Sequence, residues 1–273
     1  MNADMNPTPQ YEDRLVLFLD ILGFEKAVEE SRCDKEGKLL TSLVSALEKL
    51  NDGPQLKRNY LFGSTDPAVD YGAHIHAFSD CIAISVQLKN TDASAWLELA
   101  ASIAVSEVFR AGFLSRGGIA YGPLHHSDKQ IVGPALVDAY RLEQDETRLP
   151  RVLYSKSALE VVTLISGTLR AVDDDGKTYL DFFEMDLGEI SFSCRIKTYD
   201  GIIAQGLQTE GDIRDKYAWC HRKLLALAEV TLDAPDPEMP WLDEIGEPYP
   251  ARQVAEDRAA LKDMFRKWRG ISF

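Results

Sequence analysis

The apolar positions near the N-terminus form a nearly continuous run that ends in a carboxylate. The stretch Arg14–Leu19 is mostly apolar and partly β-branched, which predicts a buried strand that stops at Asp20. Gly23 then opens a helical pattern that begins at Phe24 and extends to about Leu50. The sequence therefore predicts a strand, a turn and a helix, with an acid at the turn.

A second acid follows in a matching setting. The pattern predicts a hairpin with strands His74–Phe78 and Ile82–Val86, which turns at Ser79-Asp80. A helix is predicted over Ala93–Ala111 and a strand over Gly117–Gly122, ended by Pro123. Together with the first strand and helix, these elements give the order β-α-β-β-α-β.

This order predicts an α+β fold with a ferredoxin-like βαββαβ core. In that topology the first strand lies beside the third, and its end lies at the same sheet edge as the hairpin turn. Asp20 and Asp80, far apart in the sequence, then become neighbours. Two carboxylates at one edge repel each other unless a cation lies between them, so we expect a divalent metal site. The simpler alternative is that Asp20 only caps the helix after it.

The remaining pattern predicts extra C-terminal strands and helices. In order, these are a helix at Pro134–Gln144, a strand at Arg151–Tyr154, a helix at Lys156–Ile165, strands around Ala171–Met185 and Phe192–Thr198, and helices at Tyr217–Leu232 and Val254–Trp268. Asp173-Asp174-Asp175-Gly176 is predicted to be a plain hairpin turn. We expect a disordered arm over residues 1–10, one main domain over 11–200, and a helical extension over 201–273 packed on the same domain.

The charge and the cysteines exclude several classes of function. A net charge of −14 and a pI near 4.8 argue against a nucleic-acid surface and against binding to an anionic membrane. No apolar run approaches membrane-spanning length. The four cysteines lack metal-binding spacing, and no signal peptide is evident, which predicts reduced thiols in a cytoplasmic protein.

Four motifs in the predicted order resemble the class III nucleotidyl cyclases, the adenylyl and guanylyl cyclase family, over about residues 12–165. The matching segments are FLDILGF from Phe18, FSDCIAIS from Phe78, the strand residues Arg116, Gly118, Ile119 and Gly122, and the helix from Gly133 through Arg141-Leu142-Glu143.

The resemblance implies a nucleoside triphosphate substrate, two divalent cations per site (Mn²⁺ or Mg²⁺) and a head-to-tail homodimer with composite active sites. It implies roles for the following groups: Asp20, the Ile21 carbonyl and Asp80 as metal ligands, the amides of Leu22, Gly23 and Phe24 for β- and γ-phosphate oxygens, Arg116 for the triphosphate tail, and Arg141 for charge developing at the α-phosphate.

The chain departs from the family at the positions that recognise the base. These positions hold His76 and Gln130, which match neither purine-reading pair, and Val137 replaces the usual ribose-orienting Asn, so neighbouring Asp138 is expected to take that role. With these changes the chain resembles the Pycsar pyrimidine cyclases of bacterial anti-phage defence. That resemblance implies conversion of UTP to cyclic UMP, which activates a separate effector.

Several alternatives stay open at this stage. In the first the product is cyclic CMP, and in the second it is a cyclic purine nucleotide. In the third the chain is a non-catalytic cyclase-homology module that senses a ligand. A diguanylate cyclase would need a G-G-[DE]-[DE]-F hairpin, where this turn has Phe78-Ser79-Asp80. Arg141 is alternatively a surface partner of Asp138 or Asp145, and Gln130 is alternatively an exposed loop residue. No lysine is assigned to the phosphates.

Overall fold

A computed structural model describes residues 9–35, 37, 72–89, 92–162, 169–184 and 192–233, with isolated residues at 41, 44, 45, 48, 259, 262, 263 and 266. Most of the predicted N-terminal arm, residues 51–71 and most of the predicted helix Val254–Trp268 lie outside the described residues. Contacts divide the chain into two compact units, Met1–Asp181 and Phe182–Phe273. The predicted boundary after residue 200 stays a prediction.

The first unit is built on one mixed sheet. Its strands are β1 (Glu12–Leu22), β2 (His74–Phe78), β3 (Cys81–Gln87), β4 (Leu114–His126), β5 (Ile131–Val132), β6 (Val152–Tyr154), β7 (Arg170–Val172) and β8 (Thr178–Leu180). They lie in the order β2-β3-β1-β4-β6-β8-β7, and β5 pairs with β4. The first four strands are antiparallel neighbours in the ferredoxin-like order. The predicted α+β fold and its core are confirmed.

Strand β1 lies in the interior of the sheet, between β3 and β4, and is buried on both faces. Helix α1 (Phe24–Ser31) follows it, and α2 (Asp92–Arg110) packs against β1, β3 and β4. Helix α3 (Pro134–Arg141) packs on the other face, where Val16 and Phe18 form a cluster with Ala135 and Ala139. The alternating Leu15, Leu17 and Leu19 are fully buried.

Strand β4 is longer than predicted, because Pro123 does not end it. Pro123 lies within the strand, opposite Asp13 of β1. The parallel partner β6 pairs with β4 only at Gly117 to Ile119, so no described strand pairs with β4 on that side at the proline. A proline without a backbone N–H is tolerated at such an edge.

The second unit contradicts one prediction. The expected strand at Phe192–Thr198 is instead the start of helix α5 (Phe192–Gly206), which packs against α6 (Gly211–Asp233). Tyr199 and Ile203, one helical turn apart, are fully buried, so packing of this helical face decides the structure. No helix among the described residues is long and apolar enough to cross a membrane. A cytoplasmic location stays a prediction.

A buried ion pair fastens the β7–β8 hairpin to the rest of the sheet. Helix α4 (Lys156–Val161) follows β6, and Arg151 immediately precedes that strand. Its guanidinium pairs with Asp173 and Asp175 in the hairpin turn, and the Arg151 and Asp173 side chains are only 2% and 5% exposed. The acidic turn therefore does more than reverse the chain, because its carboxylates neutralise a buried arginine.

We expect Arg151→Ala to lower the free energy of unfolding of the first unit by roughly 3–5 kcal/mol, because it removes the charge that neutralises the buried Asp173 carboxylate. Urea titration followed by circular dichroism measures this loss. The control Lys26→Ala removes the ion pair between two exposed side chains, Lys26 and Glu30. It is expected to cost less than about 1 kcal/mol. Equal losses in the two variants would show that the buried pair has no special role.

Candidate metal and nucleotide site

The two predicted metal acids lie together at one edge of the sheet. The register of β1 places Asp20 opposite Cys81 of β3 and opposite Arg116 of β4. Asp80 occupies the β2–β3 turn, and the Ile21 N–H donates to the Asp80 carbonyl oxygen at 2.8 Å. This hydrogen bond fixes the turn to the end of β1, so the acids are held as neighbours by backbone pairing.

The residues at this edge fit a divalent cation. Ligand atoms of Asp20, Asp80 and Cys81 all lie within 4.8 Å of one another. Carboxylate oxygens are the ligands that Mg²⁺ and Mn²⁺ prefer, and a thiolate adds a softer donor. Sequence analysis missed Cys81. Its place directly after Asp80 in the predicted hairpin turn would have identified it.

Burial and like charge make this site unfavourable for anions in the absence of a cation. Burial raises the pKa of Asp20, and the Asp80 charge adds to that effect while Arg116 opposes it. Burial, together with the two neighbouring carboxylates, raises the pKa of the Cys81 thiol to about 12. The thiol keeps its proton at neutral pH and donates it to Asp80 Oδ1, which lies 3.6 Å from Sγ.

Arg116 is held between two acids. Its Nε forms an ion pair with Glu143 and lies 3.5 Å from Asp20 Oδ2. The Glu143 side chain is 0% exposed, and burial raises its pKa while Arg116 opposes the rise. With all three acids ionised, Arg116 offsets only one of the charges of Asp20, Asp80 and Glu143. A divalent cation would neutralise the remaining two.

The helix that carries Glu143 to this site changes from α-helix to π-helix. Helix α3 continues into one turn of π-helix, Leu142–Glu146, a feature frequent at functional sites. A Cβ at Gly118 would overlap the Ala139 carbonyl oxygen, so only glycine lets the helix lie this close to β4. Glu143 is thereby brought to Arg116. Sequence analysis placed Glu143 in the motif helix but gave it no role.

The predicted catalytic arginine lies on the outer side of the same helix. Arg141 is 67% exposed, and its Nη1 lies 3.8 Å from Asp138 Oδ1, which is also exposed. Two residues apart on a helix, Arg141 and Glu143 point in nearly opposite directions. Within one chain, Arg141 therefore faces solvent while Glu143 faces the acid cluster.

The predicted phosphate amides lie where β1 passes into α1. Leu22 ends the strand, Gly23 turns the chain with a φ of 81°, and Phe24 begins the helix. The Ala27 N–H makes the first helical bond, to the Gly23 carbonyl. The amides before it have no acceptor within the helix, as at any helix N-terminus. Binding of phosphate by Leu22, Gly23 and Phe24 stays a prediction.

The two predicted base-reading residues differ in their surroundings. Nδ1 of His76 lies 2.8 Å from Nε2 of His126, a buried residue near the end of β4 that sequence analysis did not single out. Gln130 is exposed in the turn between β4 and β5, where its carbonyl accepts from the Ser127 N–H. Asp128 in the same turn contacts His74 of β2 at 3.2 Å.

Comparison with known proteins gives weak likenesses. No family model matches the sequence, and no curated protein matches it. The fold is similar to the catalytic core of a rhodopsin-guanylyl cyclase with converted specificity in complex with ATPαS, at 18% identity and a TM-score of 0.44, over 62% of this chain and 95% of that one. A class III adenylyl cyclase-like ATP-binding protein from Pseudomonas aeruginosa is 13% identical, with a TM-score of 0.43. The match covers 64% of this chain and 39% of that protein's chain.

We expect Asp20→Asn to stabilise the metal-free protein, relative to wild type, more at pH 7 than at pH 4. A raised pKa means that the folded state resists ionisation of Asp20, so wild-type stability falls as the pH rises above the ordinary value of 3.8. The variant has no charge to bury, and its advantage should grow with pH. Urea titrations at both pH values in the presence of a chelator measure the difference.

The matched control is Asp13→Asn, an exposed acid on the same strand. We expect it to change the free energy of unfolding by less than about 0.5 kcal/mol at either pH. Addition of Mn²⁺ should stabilise the wild type and leave Asp20→Asn nearly unchanged, because the cation needs the carboxylate. A pH-independent effect of Asp20→Asn would contradict the electrostatic description of this site.

Proposed function

We propose that the chain is a class III nucleotidyl cyclase that converts a pyrimidine nucleoside triphosphate, UTP in preference, into its 3′,5′-cyclic monophosphate and pyrophosphate. The observation that supports this most is the meeting of Asp20 and Asp80 at one sheet edge, beside the N-terminus of α1 and Arg116. The four sequence motifs that resemble the family meet at the same edge.

The reaction joins the ribose 3′ oxygen to the α-phosphorus and breaks the bond from that phosphorus to the pyrophosphate. The 3′ hydroxyl gives up its proton to water, and pyrophosphate takes the bonding electrons. Divalent cations, when bound, would lower the pKa of the hydroxyl and neutralise charge on the leaving group. Asp20, the Ile21 carbonyl and Asp80 would hold these cations, while the amides of α1 would orient the phosphates.

Arg116 takes a double role in this proposal. Its contacts with Glu143 and Asp20 hold the metal acid in place, and its charge lies where the triphosphate would approach. Positions fixed before substrate binds need no reorganisation during reaction, which is the basis of electrostatic catalysis. The buried Glu143 thus acts as a positioning residue for Arg116.

The enzyme would act as a head-to-tail homodimer with composite active sites. Arg141 faces solvent in a single chain, so it would serve the acids of a second copy. Val137 and Tyr140 on the same helix are also exposed, at 45% and 46%, which provides apolar surface for such a contact. Asp138, beside Arg141, would orient the ribose.

The preference for a pyrimidine and the anti-phage role rest on the resemblance in sequence. His76 and Gln130 would recognise the base, and the cyclic nucleotide would activate a separate effector without forming a stable complex with the cyclase. The same reaction with CTP or a purine triphosphate, or binding of a ligand without turnover, is the competing function.

Incubation of the full chain with Mn²⁺ and each of the four ribonucleoside triphosphates in turn tests the proposal. We expect cyclic UMP and pyrophosphate as the main products, identified by mass. A cyclic purine nucleotide would overturn the base assignment alone. Binding of a triphosphate with no cyclic product would instead favour the sensor module.

We expect Asp20→Ala and Asp80→Ala each to lower turnover by at least about a hundredfold, because one acid cannot hold both cations. Asp13→Ala, on the same strand and exposed, should retain full turnover. Initial rates at saturating Mn²⁺, with circular dichroism to confirm the fold, provide the measurement. Turnover within about tenfold of wild type in either metal-acid variant would refute the metal site.

A mixing experiment tests the composite site. Asp80→Ala and Arg141→Ala chains, each inactive alone, should regain part of the wild-type rate after refolding together, because each mixed dimer holds one intact site and one doubly altered site. Mixed dimers that form and stay inactive would show that the two residues serve the same chain.

A further inference from the structure

A row of hydrogen bonds leads from β1 to the predicted base-reading histidine. Arg14 Nε lies 2.9 Å from Ser85 Oγ, which lies 2.7 Å from His126 Nδ1. The other ring nitrogen of His126, Nε2, lies 2.8 Å from His76 Nδ1. Arg14, Ser85 and His126 are buried, whereas His76 is partly exposed. We call these four residues the histidine relay.

The direction of these hydrogen bonds follows from counting protons. A guanidinium only donates, so Ser85 Oγ accepts from Arg14. Among the described residues, His126 Nδ1 is the one acceptor for the Ser85 hydroxyl proton. Ser85 is fully buried, and a hydroxyl proton left unpaired there would be costly. Ser85 therefore donates to His126 Nδ1.

His126 passes this direction on to His76. Burial lowers the pKa of His126 to about 3, so its ring is neutral and has a single N–H. With Nδ1 accepting from Ser85, that proton lies on Nε2 and is donated to His76 Nδ1. His76 must then place its own proton on Nε2, which points away from His126. No described residue accepts from that Nε2–H.

We propose that Arg14, Ser85 and His126 are positioning residues that hold His76 as an Nε2–H donor, so that the site selects a base with a keto oxygen over one with an amino group. The proposal deepens the proposed function and rests on it only for the placement of the base at His76. Uracil and guanine have a keto oxygen at the ring position where cytosine and adenine have an amino group.

The clean comparison is between UTP and CTP, because the two bases have the same ring size. A keto oxygen accepts from the fixed Nε2–H, whereas an amino group would set two donors against each other. Without the relay, His76 would be free to shift its proton to Nδ1 and accept from an amino group. The relay thus excludes CTP by denying His76 this second tautomer.

The tautomer itself is measurable by long-range ¹H–¹⁵N NMR of the full chain with ¹⁵N-labelled histidine. The five histidines are few enough to assign with single variants. We expect His76 to carry its proton on Nε2 in the wild type and to show mixed tautomers in Ser85→Ala. Ser85→Thr keeps a hydroxyl and should restore the wild-type spectrum, provided that circular dichroism shows both variants folded.

The matched control is Ser102→Ala, a buried serine of α2 whose hydroxyl has no hydrogen-bond partner among the described residues. It should leave the His76 tautomer unchanged. A His76 proton on Nδ1 in the wild type, or an Nε2 proton that persists in a folded Ser85→Ala variant, would overturn the relay.

The preference between bases is read from binding and from turnover. Titration of the metal-free protein with UTP should shift the His76 Nε2 resonance at a concentration about tenfold or more below that needed for CTP, and Ser85→Ala should bring the two affinities together. The ratio of UTP to CTP turnover should fall likewise. If UTP does not shift His76, the placement of the base is refuted whether or not the protein is a cyclase. Absence of any cyclic product, with these shifts observed, would refute only the cyclase reaction.

Discussion

The register of β1 between β3 and β4 is the constraint on which the rest of the first unit depends. It places Asp20 between Cys81 and Arg116, and a slip of one residue would turn Asp20 to the opposite face of the sheet. Both faces of β1 are buried, so polarity alone does not set this register. Close packing contributes, since a Cβ at Gly117 would overlap the Phe18 carbonyl oxygen and one at Gly118 would overlap α3. The two glycines keep strand, neighbour and helix in one arrangement.

That arrangement gathers more negative charge than the described residues neutralise. Asp20, Asp80 and the buried Glu143 share one arginine, and the raised pKa values of Asp20 and Glu143 reflect the cost. Elsewhere in the unit Arg151 also faces two acids, those of the β7–β8 turn, but there its hydrogen bond lowers the pKa of Asp175. The raised pKa values at the sheet edge therefore distinguish a site suited to a cation from an ion pair that only fastens the fold.

Local patterns predicted the elements that are regular over their whole length. Strand β1 is a nearly continuous apolar run and α2 has helical spacing of its apolar residues, and the predicted topology then places Asp20 and Asp80 together. The stretch Phe192–Thr198 alternates apolar and polar residues as a strand does, yet the burial of Tyr199 and Ile203 one turn apart favours a helix. Pattern over a few residues is overruled there by packing over a longer span.

The sequence did not predict the side chains that act by positioning other side chains. Glu143 and His126 are ordinary polar residues in their segments, and neither spacing nor composition shows that one is buried on Arg116 and the other on Ser85.

Both are brought to their partners by geometry that is set elsewhere in the chain. The turn of π-helix and Gly118 bring Glu143 to Arg116. The extension of β4 past Pro123 brings His126 to Ser85. Residues that touch the proposed substrate can be inferred from motifs, because chemistry restricts their type. Residues that fix the orientation of those groups are restricted only by the fold, so they emerge when the strands are paired and the helix is packed.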